Sequence, residues 1–175
     1  MKTLLLLRHA KLDQDDRHVK ERQRPLTKKG ERRAGEIGHW LKARELLPVL
    51  ILSSSSVRAC RTAELVAAAS GYVGEVRLLD ELYMAEADEI LAVLRLLPDD
   101  LERVLVVGHN PGLESLIPML TEQVVGLPLA GLADISLPVS AWGELKPKTH
   151  GDLIELWRPK EVESIQEEAG GKKTE

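Results

Sequence analysis

Short apolar runs alternate along the chain with segments in which apolar residues recur at helical spacing. The apolar runs predict β-strands at residues 3–7, 49–52, 76–79 and 103–107. Run 3–7 is continuous rather than alternating, which is typical of a parallel strand buried on both faces. The segments at helical spacing predict helices at about 27–44, 57–69, 88–97 and 111–120. Two later runs, 135–139 and 153–157, predict closing antiparallel strands. This order predicts an α/β fold with a mostly parallel central sheet and an antiparallel edge.

The predicted helices begin at recognisable capping residues. Thr27, Ser56 and Asp88 each precede a helical segment, where a side-chain oxygen can accept a hydrogen bond from the first turn. Asn110 can act in the same way before Pro111, because proline suits the first position of a helix. Of these, Asn110 follows the predicted strand 103–107 almost directly, whereas a long polar loop separates Thr27 from the first strand.

Length and composition indicate one domain at residues 1–159. A chain of 175 residues can bury a core without crosslinks or metals. Residues 160–175 are charged and poor in apolar side chains, which predicts a disordered tail. The single cysteine, Cys60, is predicted to face inward on its helix and excludes an internal disulfide. The apolar run at the N-terminus is too short for a signal peptide. Together with the single cysteine, this indicates a reducing, cytoplasmic location.

The charge distribution narrows the possible partners. The formal net charge is -4, and no apolar stretch approaches the ~20 residues of a membrane span, so we expect neither nucleic acid nor a membrane as partner. Basic side chains are nevertheless concentrated between residues 8 and 33, while the last third of the chain is comparatively acidic. This asymmetry favours an anionic ligand held by the first third; a solvated basic surface is the alternative.

Two histidines follow the ends of predicted strands. His9 lies just past the first strand and His109 just past the fourth. In open α/β sheets ligands bind beyond the carboxyl ends of the strands, so these two side chains could meet over one ligand. Taken singly, each histidine is equally explained as a turn residue bonded to nearby backbone.

Three arginines lie near the same predicted edge. Arg8 adjoins His9, Arg24 precedes the first long helix, and Arg58 lies in the first turn of the second helix. An arginine at a helix N-terminus works against the helix dipole. The conflict disappears if an anion lies between the guanidinium and the backbone N–H groups, which together suit a phosphate. A surface arginine is the alternative explanation.

Four sequence blocks in order resemble the signature of the histidine phosphatase superfamily, whose fold is called phosphoglycerate mutase-like. They are Leu6-Leu7-Arg8-His9-Ala10, Arg24-Pro25-Leu26-Thr27-x-x-Gly30, Ser54-x-x-x-Arg58-Ala59-x-x-Thr62 and Val107-Gly108-His109-Asn110. The short chain and the Arg-Pro-Leu-Thr block resemble most its phosphohistidine phosphatase branch, SixA. The resemblance implies a three-layer α/β/α sandwich with a mostly parallel sheet and an antiparallel edge. Ala10, Ser55 and Arg61 depart from the usual glycine, proline and glutamine of the blocks.

The resemblance also implies the roles of the site residues. His9 would be the nucleophile that becomes phosphohistidine, Arg8, Arg58 and His109 would form the phosphate pocket, and Arg24 would be a further phosphate contact. Neighbouring arginines disfavour imidazolium, so we expect a neutral His9 with one nitrogen held by a backbone carbonyl and the other free to attack. We expect a protonated His109 that donates to a phosphate oxygen. Positioning and charge dominate phosphoryl transfer, so three arginines make a metal or other cofactor unnecessary.

The leaving group needs a proton, and Glu81 is the first candidate to supply it. It follows the third strand, where many members of the resembled family carry a general acid; Asp80 is the second candidate, and an ordinary loop carboxylate is the alternative. The favoured substrate is phosphohistidine on a protein domain, because a chain this short has little room for a lid over a small substrate. Two alternatives stay open: a phosphatase acting on a small phosphorylated metabolite, and a non-catalytic module that binds a phosphorylated ligand.

Overall fold

The computed structural model describes residues 1–159, and the predicted tail at 160–175 lies outside the described residues. The main elements, in chain order, are β1 (Lys2–Arg8), α1 (Lys28–Ala43), β2 (Leu50–Ser54), α2 (Val57–Ser70), β3 (Val76–Leu79), α3 (Ala87–Arg95), β4 (Arg103–Gly108), α4 (Gly112–Thr121), β5 (Leu132–Leu137) and β6 (Asp152–Trp157). Short 3-10 helices lie at Glu21–Gln23, Asp80–Leu82 and Trp142–Glu144. The predicted alternation of strands and helices is confirmed.

The six strands form one sheet in the order β3-β2-β4-β1-β5-β6. The first four strands of the chain are parallel, whereas β5 pairs antiparallel with β1 and β6 pairs antiparallel with β5. The predicted mostly parallel sheet with an antiparallel edge is therefore confirmed. In the register of β1 and β4, Arg8 is opposite Gly108. That pairing brings the residues after both strands to one point of the sheet edge.

Helices cover both faces of the sheet, as the three-layer sandwich requires. Leu5 and Leu7 of β1 pack with α1 and α2 in one apolar cluster. Leu4 and Leu6 pack with α3 and α4 in the other. All four leucines are fully buried, which explains the continuous rather than alternating run, since each face of β1 meets its own core.

Helix starts follow the prediction in two places and depart from it in two. The Thr27 side chain accepts from Gly30 N–H at 3.0 Å, and Ser56 accepts from Ala59 N–H at 3.3 Å. Asp88 is not a cap, because α3 begins at Ala87 after an extended Glu86.

Asn110 is not a cap either, because its side-chain amide donates to the Leu127 carbonyl at 2.7 Å. The helix that follows begins at Gly112, where a Cβ would lie 1.9 Å from the Ala85 carbonyl oxygen. Only glycine allows this close approach of α4 to the segment before α3.

Cys60 does not face the core as predicted. It is half-buried, and its thiol donates to Glu64. The buried stripe of α2 consists instead of Arg58, Ala59, Thr62, Ala63, Val66 and Ser70. The stripe therefore includes an arginine, which bears on the site below.

No helix within residues 1–159 combines the length and the apolar character that crossing a membrane requires.

Candidate active site

The two strand-end histidines lie side by side. The His9 backbone N–H donates to the Gly108 carbonyl at 3.1 Å, which continues the pairing of β1 with β4. The ring centroids of His9 and His109 are 5.1 Å apart, and the two residues are only 5% and 3% exposed. The expected meeting of both histidines at the carboxyl edge of the sheet is confirmed.

The His9 ring is held through one nitrogen. Nδ1 lies 2.8 Å from the Ala10 carbonyl oxygen, so Nδ1 carries the proton and Nε2 keeps a lone pair. Ala10 N–H in turn donates to Thr62 Oγ1 at 3.1 Å, which fixes the peptide that orients the ring. Arg58 Nε donates to His9 Nε2 at 3.3 Å. The predicted backbone-held imidazole is confirmed, and its free nitrogen faces a guanidinium.

His9 is neutral at pH 7. The pKa of His9 falls from 6.5 to about 4, chiefly because the ring is buried; the Ala10 carbonyl and Glu21 oppose this lowering, and the cations Arg58 and Arg8 add to it. Desolvation penalises the charged ring more than either arginine does. The ring is therefore neutral, as predicted.

His109 uses both ring nitrogens. Nε2 lies 2.7 Å from Ser54 Oγ, and Nδ1 lies 3.4 Å from Arg58 Nη2. Burial lowers the pKa of His109 to about 3, with His9, Arg58 and Arg8 acting in the same direction. The expectation of a protonated His109 is wrong for this structure, because a buried ring beside two arginines loses its proton. A phosphate dianion beside it would oppose this lowering.

Arg58 is the centre of the site. It lies in the first turn of α2 and is 3% exposed, and each of its three nitrogens has an acceptor. Nε donates to His9, Nη1 donates to the Glu21 carbonyl oxygen at 3.1 Å, and Nη2 forms an ion pair with the Glu21 carboxylate. A buried cation at a helix N-terminus is thus neutralised by a carboxylate, where the sequence predicted a phosphate.

One cavity joins the predicted residues. Its volume is about 530 Å³, and its walls include the five residues predicted to bind or attack phosphate, namely Arg8, His9, Arg24, Arg58 and His109. Glu21, Met84 and Asn110 also line it. Three arginines around one cavity can bind the oxygens of a single phosphate.

A small network positions Arg8. The Leu127 carbonyl accepts from Arg8 Nη1 at 3.3 Å and from Asn110 Nδ2 at 2.7 Å. Leu127 N–H donates to Glu114 Oε1 at 2.7 Å, and Glu114 also attracts Arg8 electrostatically. Glu114 and Asn110 therefore fix the backbone group on which Arg8 rests, a role that the sequence did not reveal.

Glu81 is not brought to the cavity. It is exposed on the 3-10 helix Asp80–Leu82 and is not among the residues that line the cavity. Asp80, the second candidate, forms an ion pair with Arg22. The carboxylate that does line the cavity is Glu21, from the polar loop between β1 and α1. Nothing in that loop's pattern marks Glu21, because only the tertiary folding of the loop brings it to Arg58.

Tyr83 is a further unpredicted neighbour. Its hydroxyl donates to the Glu21 carboxylate, and this hydrogen bond raises the pKa of Tyr83. Its ring meets His109 edge to face at a centroid distance of 5.7 Å. Within residues 1–159, no group of three or more His, Cys, Asp or Glu side chains could hold a metal ion.

The comparisons with known proteins agree with this geometry. Residues 4–89 match the histidine phosphatase superfamily (branch 1). A structure from Agrobacterium tumefaciens assigned as a phosphohistidine phosphatase SixA is 25% identical, with a TM-score of 0.77, over 90% of this chain and 98% of its own. The protein histidine phosphatase SixA complexed with tungstate has a TM-score of 0.78 at 22% identity, over 91% and 99% of the two chains, and supports the fold. An uncharacterized chloroplastic protein of Arabidopsis thaliana is 29% identical over 81% of this chain and 69% of its own.

The family match and the solved structures support assignment to the histidine phosphatase superfamily; the fold is phosphoglycerate mutase-like, and the chain resembles the phosphohistidine phosphatases named SixA.

Proposed function

We propose that the protein is a metal-independent phosphatase that forms a covalent phosphohistidine on His9 and removes phosphate from phosphohistidine of a protein domain. One observation carries the proposal: a buried, neutral imidazole is held at Nδ1 by the Ala10 carbonyl, with its free Nε2 in a cavity lined by three arginines. A neutral ring nitrogen is a nucleophile, and the arginines supply the charge that phosphoryl transfer requires.

In the first step the phosphate binds to Arg8, Arg24 and Arg58. Arg58 releases His9 Nε2 as it takes a phosphate oxygen, and Nε2 attacks phosphorus. The bond from His9 Nε2 to phosphorus forms while the bond from phosphorus to the substrate imidazole breaks. The leaving imidazole keeps the proton on its other nitrogen and departs neutral. The phosphorylated His9 ring keeps its Nδ1 proton, which the Ala10 carbonyl continues to accept.

In the second step water attacks the phosphorus. The bond to His9 Nε2 breaks and its electron pair returns to the ring, while the proton of the attacking water passes to solvent or to the released phosphate. Splitting hydrolysis into two transfers replaces one difficult step with two easier ones. His9 is restored with its proton on Nδ1.

The positions of the carboxylates near the site favour phosphohistidine over a phosphate ester as substrate. An alkoxide leaving group needs a proton, and general acid catalysis is typically worth about 10²–10⁴-fold in such a step. Glu81 lies outside the cavity lining, and Glu21 is paired with Arg58. Transfer from one imidazole to another needs no strong acid, since the leaving group has the same chemistry as the nucleophile.

The connections around the site favour a protein substrate. Only residues 109–111 join β4 to α4, and residues 80–86 join β3 to α3. Among residues 1–159, the connections from the carboxyl ends of the parallel strands to the helices that follow them contain no helix longer than the three-residue 3-10 helices Glu21–Gln23 and Asp80–Leu82. A phosphorylated loop or helix of another protein can therefore approach His9.

A side-by-side assay tests the proposal. A phosphohistidine-bearing protein, sugar phosphates and an aryl phosphate are compared by kcat/KM under one set of conditions. We expect the phosphohistidine protein to be the best substrate, and Glu81→Gln to leave its hydrolysis within about twofold. A sugar phosphate that exceeds it, with a large loss in Glu81→Gln, would assign a small-molecule phosphatase. Binding of all three without turnover would assign a non-catalytic module.

A further inference from the structure

The Glu21 carboxylate, which lines the cavity, binds two side-chain donors. One of its oxygens pairs with Arg58 Nη2, and the other accepts from the Tyr83 hydroxyl. The Glu21 backbone carbonyl accepts from Arg58 Nη1 at 3.1 Å. A phosphate that binds Arg58 in a bidentate way, through Nε and Nη2, replaces His9 Nε2 on the first nitrogen and the Glu21 carboxylate on the second.

The short 3-10 helix Glu21–Gln23, which we call the Glu21 strap, is tethered beside the cavity. The Arg22 guanidinium lies over the Tyr83 ring, 4.7 Å from its centroid. It also binds Ser55 and Asp80, on the loops that follow β2 and β3. These contacts hold the strap independently of the Glu21 side chain, so a displaced carboxylate stays at the cavity. None of the strap residues is buried.

We propose, resting on the proposed function, that Glu21 is a specificity-determining residue that selects substrates whose leaving group carries no negative charge. After phosphate has displaced it, the Glu21 carboxylate lies next to the leaving group. It repels a leaving group that carries a carboxylate and attracts an imidazole, which is neutral or cationic. The selected class is a phosphorylated nitrogen base rather than a phosphorylated organic acid.

Electrostatics sets the size of the effect. The Glu21 side chain is 55% exposed, so solvent screens it in part, but Arg58 and the cavity walls exclude water from one side. Like charges about 5 Å apart at an intermediate dielectric, reduced by this screening, change binding by about tenfold.

Two ligands that differ in one group measure this selection. Glycerol 3-phosphate and 3-phosphoglycerate share a phosphate and a backbone, and only the second carries a carboxylate. Their dissociation constants are measured by calorimetry on the full chain and on Glu21→Gln. We expect the protein to prefer glycerol 3-phosphate by about tenfold and Glu21→Gln to bind both within about twofold of each other.

The matched control is Glu75→Gln. Glu75 immediately precedes β3, so it lies at the opposite edge of the sheet from the cavity, and the substitution removes the same charge. This variant should keep the preference of the unchanged protein. The same ratio in the unchanged protein and in Glu21→Gln, or no binding of either ligand by Glu21→Gln, would overturn the proposal.

This result is independent of the substrate assay. If glycerol 3-phosphate is preferred and a sugar phosphate is nevertheless turned over faster than phosphohistidine, the proposed function fails while the role of Glu21 stands. If phosphohistidine is the best substrate and the two dissociation constants are equal, the proposed function stands and the role of Glu21 fails.

Discussion

The site contains two histidines that the fold places in almost the same way and that differ in their hydrogen bonds. Both follow a parallel strand, both are buried, and in both the pKa is lowered by burial. In His9, Nδ1 is fixed by the Ala10 carbonyl, and Nε2 accepts from the Arg58 guanidinium. His109 has Nε2 against Ser54 and Nδ1 against Arg58.

The difference teaches that position at the sheet edge does not make a nucleophile. A carbonyl can only accept, so it forces the His9 proton onto Nδ1 and leaves Nε2 basic. A serine hydroxyl donates or accepts, so Ser54 leaves the tautomer of His109 to Arg58, whose guanidinium can only donate to Nδ1. The backbone-held tautomer of His9 supports the proposal that His9 attacks phosphorus, with His109 proposed to contact the phosphate oxygens.

The largest effect is expected from His9→Ala. Turnover should be abolished while circular dichroism stays that of the unchanged protein, because His9 is the residue proposed to form the covalent intermediate. Labelled substrate followed by an alkaline quench should leave label on the unchanged protein and none on the variant. If the His9→Ala variant is labelled on another residue, attack is not specific to His9, and the two histidines do not differ in the way proposed.

His109→Ala should lower kcat by about 10²-fold or more, in line with the loss of one donor to developing negative charge. Unlike His9→Ala, this variant should still become labelled on His9, only more slowly. Rapid-quench measurement of the labelling rate separates the two roles. A His109→Ala protein that never labels would show that both rings are needed for attack.

Acid should destabilise the fold through both rings. Below pH 6.5 the unfolded chain takes up protons on these histidines, whereas the folded pKa values are about 4 for His9 and about 3 for His109. Stability is therefore lost as pH falls from 6.5 towards 4, by up to about 1.4 kcal/mol per pH unit for each histidine.

Urea unfolding at pH 7 and pH 5 measures this loss. The double variant His9→Asn, His109→Asn should lose less stability between the two pH values than the unchanged protein, because carboxylate contributions are common to both. Equal losses would mean that the rings are not buried as neutral groups.

The smallest effect is expected from metal removal. If the two imidazoles act as nucleophile and donor rather than as metal ligands, activity should survive excess chelator unchanged, with arginines supplying the positive charge. Vanadate or tungstate should inhibit, as mimics of five-coordinate phosphorus. If activity is lost in EDTA and restored by a divalent ion, the two rings do not have separate roles but bind one metal ion together.

Local patterns predicted most of the fold. The six strands, the antiparallel closure and the Thr27 and Ser56 caps follow from short-range sequence. Of the errors at Asp88, Asn110 and Cys60, the one at Asn110 has a clear cause: its side chain binds the Leu127 carbonyl, and this contact with a distant segment outweighs the local capping preference.

The site divides in the same way. His9, His109, Arg8, Arg24 and Arg58 could be predicted because each adjoins a strand end or a helix start, and the sheet brings such ends together. Glu21 and Tyr83 come from loops without periodic pattern. Their approach to Arg58 depends on how those loops fold over the sheet edge, which no local signal encodes.

The place of β1 in the sheet has a consequence for folding. Thr3 pairs with Arg103 and Lys2 with Leu137, so the strand that carries His9 is central yet has both of its partners far along the chain. Pairings across such long loops form slowly, because the chain loses the entropy of closing the loop before the stabilising contacts between the strands are made. On a ribosome β1 would wait, unpaired and apolar, until β4 and β5 had emerged. His9, the proposed nucleophile, is thus among the first residues made, while the strand that precedes it is among the last to be paired.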